Sequence, residues 1–215
     1  MNVRKELIAA GRRLVGMGLS PGATGNLSIR DGDMILVTGT GASLGHLTEA
    51  DIAEVSMTGV HLGGARASKE TPLHVGLYRR GDEHQAIVHL HSPQAVAMSC
   101  RDPWSATNAV PPLTPYFVMR VGQTPLLPYR HPGDAALGAD ILSAPGQFRA
   151  ALLANHGSVV SGADLGDAVE RAAELEEACR IALLTENSPR RELTPEQIRE
   201  LADKWGSPWT HSPVD

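Results

Sequence analysis

Apolar and polar positions along this chain alternate with two periods, and the switches between them lay out its elements. In residues 3–18, Leu7, Ile8, Leu14, Val15 and Met17 form a partly amphipathic stripe with Arg4, Lys5, Arg12 and Arg13 outside it, which predicts a helix. Ser20-Pro21-Gly22-Ala23-Thr24-Gly25-Asn26 is too rich in breakers for helix or strand. Residues 27–29 and 34–37 read as short strands joined by a turn at Asp31-Gly32-Asp33, and Thr38-Gly39-Thr40-Gly41 is a second glycine-rich turn. A helical turn over 48–52, a strand over 53–57, a hairpin-like Thr58-Gly59 and a polar loop to Lys69 follow. From 70 to 79 the pattern is helical, with Leu73, Leu77 and Tyr78 inward and Pro72 in the first turn, where its missing N–H costs nothing.

Residues 86–91 predict a strand and 94–100 a helix of small residues. The segment 103–134 holds seven of the fifteen prolines and reads as irregular, with extended pieces near 117–121 and 126–127. A helix over 135–142 precedes a strand over 150–153 that ends at Asn155-His156-Gly157, and Val159-Val160 continues as another strand. Residues 164–185 carry the longest helical stripe, through Leu165, Val169, Ala172, Leu175, Cys179, Ala182 and Leu183. Thr194-Pro195-Glu196-Gln197 opens a last helix with a capping box. Short strands alternating with helices, with no repeat or linker, predict an α/β fold in a single domain over 1–215.

Composition changes this picture little. Hydrophobic residues at 42% suit an ordinary globular core, and aromatics at 4% leave its packing to Leu, Val, Ala and Ile. A net charge of −5 without clustered Lys and Arg gives no nucleic-acid footprint. No window approaches the roughly 18 apolar residues of a membrane helix. Met1-Asn2-Val3-Arg4-Lys5-Glu6 leads into no apolar signal stretch, and Cys100 and Cys179 read as reduced, mostly buried thiols. The expectation is a soluble cytoplasmic protein with neither membrane nor nucleic-acid partners.

The candidate chemistry starts at Ile87-Val88-His89-Leu90-His91-Ser92-Pro93. Side chains at i and i+2 of a strand share a face, so His89 and His91 can grip one ion, although the spacing alone also fits two separate surface histidines. Of the nine histidines, His46, His61, His84, His131 and His211 lie in polar or loop contexts and read as surface. His156 differs, because a tight Asn-His-Gly turn at a strand end aims it at the sheet edge. Glu70 is the best carboxylate candidate, against the simpler reading of a first-turn acid favoured by the helix dipole. His74 follows at i+4 on the same helix face and reads either as a fifth ligand or as a core or supporting histidine, the latter favoured because three histidines and one glutamate already fill a four-coordinate shell.

Thr24-Gly25-Asn26-Leu27-Ser28, Thr38-Gly39-Thr40-Gly41 and Ser68-Lys69 each offer backbone N–H groups, small polar donors and close backbone approach. That chemistry suits a phosphate, although each turn alone reads as a turn. None matches the nucleotide-binding glycine motifs. A metal, a phosphate pocket and a carboxylate together point to carbanion chemistry on a small phosphorylated substrate, with negative charge stabilised as an enediolate.

In order, Thr24-Gly25-Asn26-Leu27-Ser28, Thr38-Gly39-Thr40-Gly41, Ser68-Lys69-Glu70, His89-Leu90-His91-Ser92 and Asn155-His156-Gly157 resemble the class II aldolase/adducin family over about residues 3–185. The resemblance implies a central, mainly antiparallel sheet flanked by helices, and a homotetramer with its sites at subunit interfaces. It implies zinc, or manganese or cobalt in its place, on Glu70, His89, His91 and His156, with Glu70 doubling as acid/base. Phosphate would sit among Gly25, Asn26, Thr38, Gly39, Ser68 and Lys69, and Tyr116 would reach a neighbouring subunit's site. The stretches around residues 67–74, 111–119 and 127–134 are most similar to the family's 3-oxo-tetronate 4-phosphate decarboxylases, which release carbon dioxide and dihydroxyacetone phosphate. The resemblance also leaves a class II aldolase acting on a ketose or sugar-acid phosphate, and a non-enzymatic adducin-like module that is expected to lack the ligands. The tail Lys204-Trp205-Gly206-Ser207-Pro208-Trp209-Thr210-His211 has no tyrosine, unlike the aromatic tails of many aldolases and epimerases of the family.

Overall fold

A computed structural model describes residues 2–22 and 24–210. Ala23 of the first turn and His211 lie outside the described residues.

Helix α1 (Val3–Gly16) starts where the Asn2 side chain accepts from the Arg4 and Lys5 amides, and it buries Leu7, Ala10 and Leu14. The strands are β1 (Asn26–Asp31), β2 (Met34–Thr38), β3 (Ile52–Ser56), β4 (His61–Gly64), β5 (Ala86–Leu90), β6 (Leu126–Leu127), β7 (Ala150–Leu153) and β8 (Gly157–Gly162). The remaining helices are α2 (Thr71–Tyr78), α3 (Pro93–Ser99), α4 (Ala136–Ser143), α5 (Leu165–Leu184) and α6 (Pro195–Trp205). One eight-stranded sheet runs β4-β3-β2-β1-β5-β8-β7-β6. Every pairing is antiparallel except β6 with β7.

The two-residue period of the strands feeds two cores, one on each face. Ala86, Val88 and Leu90 of β5 pack with Leu7, Leu14, Ala95, Met98, Val169, Leu175 and Cys179 from α1, α3 and α5. Ile87, one residue out of phase, packs with Leu73, Leu77, Leu137 and Ile141 from α2 and α4. Burial on both faces explains why the β5 sequence runs apolar without alternation until His89.

Four expectations need correction. The polar loop before Lys69 contains β4, an edge strand whose Val60–Leu62 neighbourhood is exposed and so carries no alternating apolar signal. Phe117–Val121 is a π-helical turn rather than an extended piece. Thr114 Oγ1 accepts from the Phe117 amide at 3.2 Å and Gly122, at φ 79°, returns its N–H to the Phe117 carbonyl at 2.9 Å, so local capping overrides the strand preference of Phe and Val. His84 is buried, not at the surface, with its Nδ1 2.6 Å from Ser161 Oγ. Cys179 is buried as expected, but Cys100 is exposed. Among the described residues, no helix is long and apolar enough to cross a membrane.

Glu176 of α5 fixes the start of α3. Its carboxylate accepts from Ser92 Oγ at 2.6 Å and from the amides of Gln94 and Ala95 at 2.9 Å each, satisfying N–H groups that a helix end leaves without partners. This clamp holds the chain just after His91. Glu176→Ala is expected to lower stability by about 2 kcal/mol, read as a lower urea midpoint at unchanged m value. A loss within measurement error would remove the clamp from the account.

Candidate metal centre

Four chain segments deliver side chains to one end of the sheet. His89 is the penultimate residue of β5, and its partner across the β1 pairing is Asn26. His91 follows two residues later, just past the strand. His156 sits in the loop between β7 and β8, where Asn155 takes a left-handed φ of 56°, a conformation Asn tolerates. The turn is tied to the end of α3 by the Asn155 amide on the Ser99 carbonyl at 3.0 Å and the His156 amide on Ser99 Oγ at 3.3 Å. A Cβ on Gly157 would lie 2.3 Å from the Leu90 carbonyl oxygen, so only glycine lets β8 start this close to β5.

Glu70 occupies the N-cap position of α2 yet makes no capping hydrogen bond with its side chain. Ser68 does the local work instead: its Oγ accepts from the Glu70 amide at 3.2 Å, and its carbonyl accepts from the Thr71 amide at 3.1 Å and from Thr71 Oγ1 at 2.7 Å. The Glu70 carboxylate is thereby free to turn inward. Its Oε2 lies 3.3 Å from His89 Nε2 and its Oε1 3.3 Å from His156 Nε2.

One ligand atom from each of Glu70, His89, His91 and His156 falls within 4.8 Å of the other three. His91 Nε2 is 3.1 Å from His89 Nε2 and 3.0 Å from His156 Nε2. Three imidazole nitrogens so placed cannot all hydrogen-bond to one another, because each contact needs one proton and one lone pair. Glu70 Oε1 is buried without a hydrogen-bond partner. His89 Nδ1 donates to the Ser158 carbonyl at 2.8 Å, which leaves the Nε2 lone pair facing the cluster, the tautomer a metal ligand needs. Burial, with His89 and His156 alongside, pushes the His91 pKa down to about 4, so its ring is neutral near pH 7. Burial works to raise the Glu70 pKa, but its contacts with His156, His89 and Asn26 outweigh this and hold it well below the usual carboxylate range. One carboxylate and three imidazoles form a donor set suited to a single divalent ion such as zinc.

The three turns singled out for phosphate meet at this edge. Thr38 Oγ1 accepts from the Leu27 amide at 3.1 Å, joining the second turn to β1. Gly39 bridges Ala67, the residue before Ser68-Lys69. The Gly39 and Thr40 amides are already committed, to the Asp51 and Arg66 carbonyls at 2.7 and 3.0 Å. Asn26 is buried, with its side chain turned to Glu70 and His74, while Lys69 is exposed. Tyr116 is 55% exposed, with the Arg120 guanidinium 5.4 Å from its ring centre. The tail is held to the same region of the fold through Trp209, whose ring meets Phe117 edge-on at 6.1 Å.

The Class II Aldolase and Adducin N-terminal domain profile matches residues 5–183, and the chain belongs to that family. More particularly, it is 40% identical over 200 residues to the 3-oxo-tetronate 4-phosphate decarboxylase of Pectobacterium atrosepticum, covering 93% of this chain and 92% of that protein. It is 32% identical over 184 residues to the L-fuculose phosphate aldolase of Methanocaldococcus jannaschii, covering 84% of this chain and 96% of that one. The crystal structure of YgbL from Klebsiella pneumoniae superposes with a TM-score of 0.88 at 38% identity, over 93% of this chain and 97% of that chain. The chain is accordingly an enzyme of the lyase type, with the class II aldolase fold.

Sequence reasoning read Asn26 and Ser28 as parts of a turn and Tyr78 as core. It missed that these residues join His74 behind Glu70. The signal was present in the spacing of Glu70, His74 and Tyr78 at i, i+4 and i+8, one stripe of a helix. Gly157→Ala is expected to destabilise the fold by about 3 kcal/mol through overpacking against β5, measured by urea unfolding. A change below about 0.5 kcal/mol, the range of neutral surface substitutions, would contradict the close approach.

Proposed function

We propose that this protein is a divalent-metal-dependent decarboxylase that converts 3-oxo-tetronate 4-phosphate to dihydroxyacetone phosphate and carbon dioxide in four-carbon acid sugar catabolism. The observation that carries the reading is the convergence of Glu70, His89, His91 and His156 in a chain 40% identical to a decarboxylase of that name.

Glu70, His89, His91 and His156 would hold the ion, which we take to be zinc, with manganese or cobalt as substitutes. When bound, it supplies a Lewis acid that stabilises negative charge developing on the substrate ketone oxygen. In a β-keto acid the C1–C2 bond breaks, its electron pair stays on C2, delocalised toward the C3 ketone, and carbon dioxide leaves. A proton taken from solvent is then passed by Glu70 to C2, completing the hydroxymethyl group of the product. Tyr116, contributed by a neighbouring subunit of a homotetramer, assists that transfer. Gly25, Asn26, Thr38, Gly39, Ser68 and Lys69 line the pocket for the substrate phosphate; the Gly39 N–H is committed to Asp51 and the Asn26 amide to Glu70, so Lys69 supplies the charge. The setting is cytoplasmic, and the chain acts without nucleic-acid or membrane partners.

An aldolase reaction needs the same metal and phosphate pockets, so the products decide between the two. NMR of wild-type reactions with 3-oxo-tetronate 4-phosphate is expected to show dihydroxyacetone phosphate and carbon dioxide, and ketose phosphates are expected to turn over far more slowly. Cleavage of a ketose phosphate with no loss of carbon dioxide from the keto acid would replace the decarboxylase by an aldolase. Glu70→Gln is expected to keep its fold, judged by circular dichroism, and to lose about 100-fold to 10,000-fold in kcat. Near-wild-type turnover would move the proton-transfer role to another group.

A further inference from the structure

Behind Glu70 lies a buried row of polar side chains whose contacts with one another the proposed reaction does not use directly. Glu70, His74 and Tyr78 form one stripe of α2. Asn26 and Ser28 project from the same face of β1, two residues apart. The two sets interdigitate. Asn26 Nδ2 is 2.8 Å from Glu70 Oε2, Asn26 Oδ1 meets His74 Nε2, His74 Nδ1 is 2.7 Å from Ser28 Oγ, and Ser28 Oγ is 2.8 Å from Tyr78 OH. All five residues are at most 5% exposed.

The chemistry of the groups gives this row one direction. An ionised carboxylate only accepts, so the Asn26 amide must present its NH₂ to Glu70. Its carbonyl oxygen then faces His74 Nε2, which must carry the hydrogen. A neutral imidazole with hydrogen on Nε2 has a lone pair on Nδ1, which accepts from the Ser28 hydroxyl. Ser28 Oγ in turn accepts from the Tyr78 hydroxyl. Burial, aided by His89, pushes the His74 pKa down to about 3, in keeping with a neutral ring. Burial likewise raises the Tyr78 pKa and keeps that hydroxyl protonated. Every donor then points along the row toward Glu70, an arrangement in which successive hydrogen bonds reinforce one another.

We infer that His74 is a positioning residue: held as the Nε2–H tautomer by Ser28 and Tyr78, it locks the Asn26 amide with its NH₂ toward Glu70 and so fixes the carboxylate within the ligand cluster. Without the His74 donor the buried Asn26 carbonyl oxygen is left without a partner and the amide is held at one end only, by Glu70, so the carboxylate loses a fixed donor. Groups behind a metal ligand set its orientation and affinity, and their loss costs about 10-fold to 100-fold in metal affinity or activity. The inference rests on Glu70 being a ligand, as proposed above.

Two measurements test it. In ¹⁵N NMR of the histidine-labelled, metal-free wild type at pH 7, His74 is expected as the neutral Nε2–H tautomer. A Nδ1–H tautomer or a cation would overturn the inference, and this readout needs no variant to fold. Zinc affinity, measured by chelator competition, is expected to fall at least 10-fold in His74→Phe, with kcat reduced and KM for the keto acid little changed. His74→Gln, whose amide restores a donor to Asn26, is expected to recover most of both. Unchanged zinc affinity in His74→Phe, or equal losses in the Phe and Gln variants, would overturn it. A wild type that binds no zinc would instead overturn the metal reading, and a wild type that binds zinc but fails to decarboxylate would overturn only the substrate, so the failures are distinguishable.

Discussion

The structure turns on a constraint of proton arithmetic: three imidazole nitrogens and a carboxylate share a space in which their ligand atoms lie within 4.8 Å of one another. Neutral imidazoles cannot satisfy each other pairwise in a triangle, and the inward carboxylate keeps a buried oxygen with no hydrogen-bond partner. Such a grouping is costly unless a cation occupies its centre. The surrounding fold can be understood as the means of holding these four side chains against that cost.

Each delivery device is local and physical. The antiparallel pairing of β5 with β1 and β8 sets His89 beside Asn26 and within reach of the Ser158 carbonyl. Gly157 permits the close start of β8, Ser99 anchors the His156 turn, and Ser68 takes over the turn before α2 so that Glu70 can face inward. Glu176 secures the chain directly after His91 from the neighbouring helix. The polar row from Tyr78 to Glu70 continues this logic into the core, on the face of the sheet that packs with α2 and α4. The resulting site combines mostly buried side chains with a more open rim, where Lys69 is exposed. That division suits a reaction in which charge is stabilised at a fixed centre while a phosphorylated substrate enters and leaves.

Much of this was legible before any coordinates. The i, i+2 pair of His89 and His91 on an apolar strand, and a histidine in an Asn-His-Gly turn, follow from strand periodicity and turn chemistry. The ordered motifs carried the rest of the ligand set, because Glu70 alone reads as a helix-dipole acid. What was not legible depended on tertiary contact. β4 is an exposed edge without alternation, and Phe117–Val121 curls into a π turn because Thr114 and Gly122 cap it. His84 reads as a loop residue until Ser161 is seen beside it. Nothing in the sequence places the Asn26 amide between Glu70 and His74. In each of these cases the deciding partner is distant in sequence or the signal is one of capping rather than periodicity.

The most direct test of the central claim is a crystal structure of the zinc-loaded protein with anomalous data collected on both sides of the zinc edge. The account predicts one strong anomalous peak per chain, about 2.0–2.2 Å from Glu70, His89, His91 and His156. A fully loaded crystal with no peak there, or with its zinc held by other side chains, would contradict it.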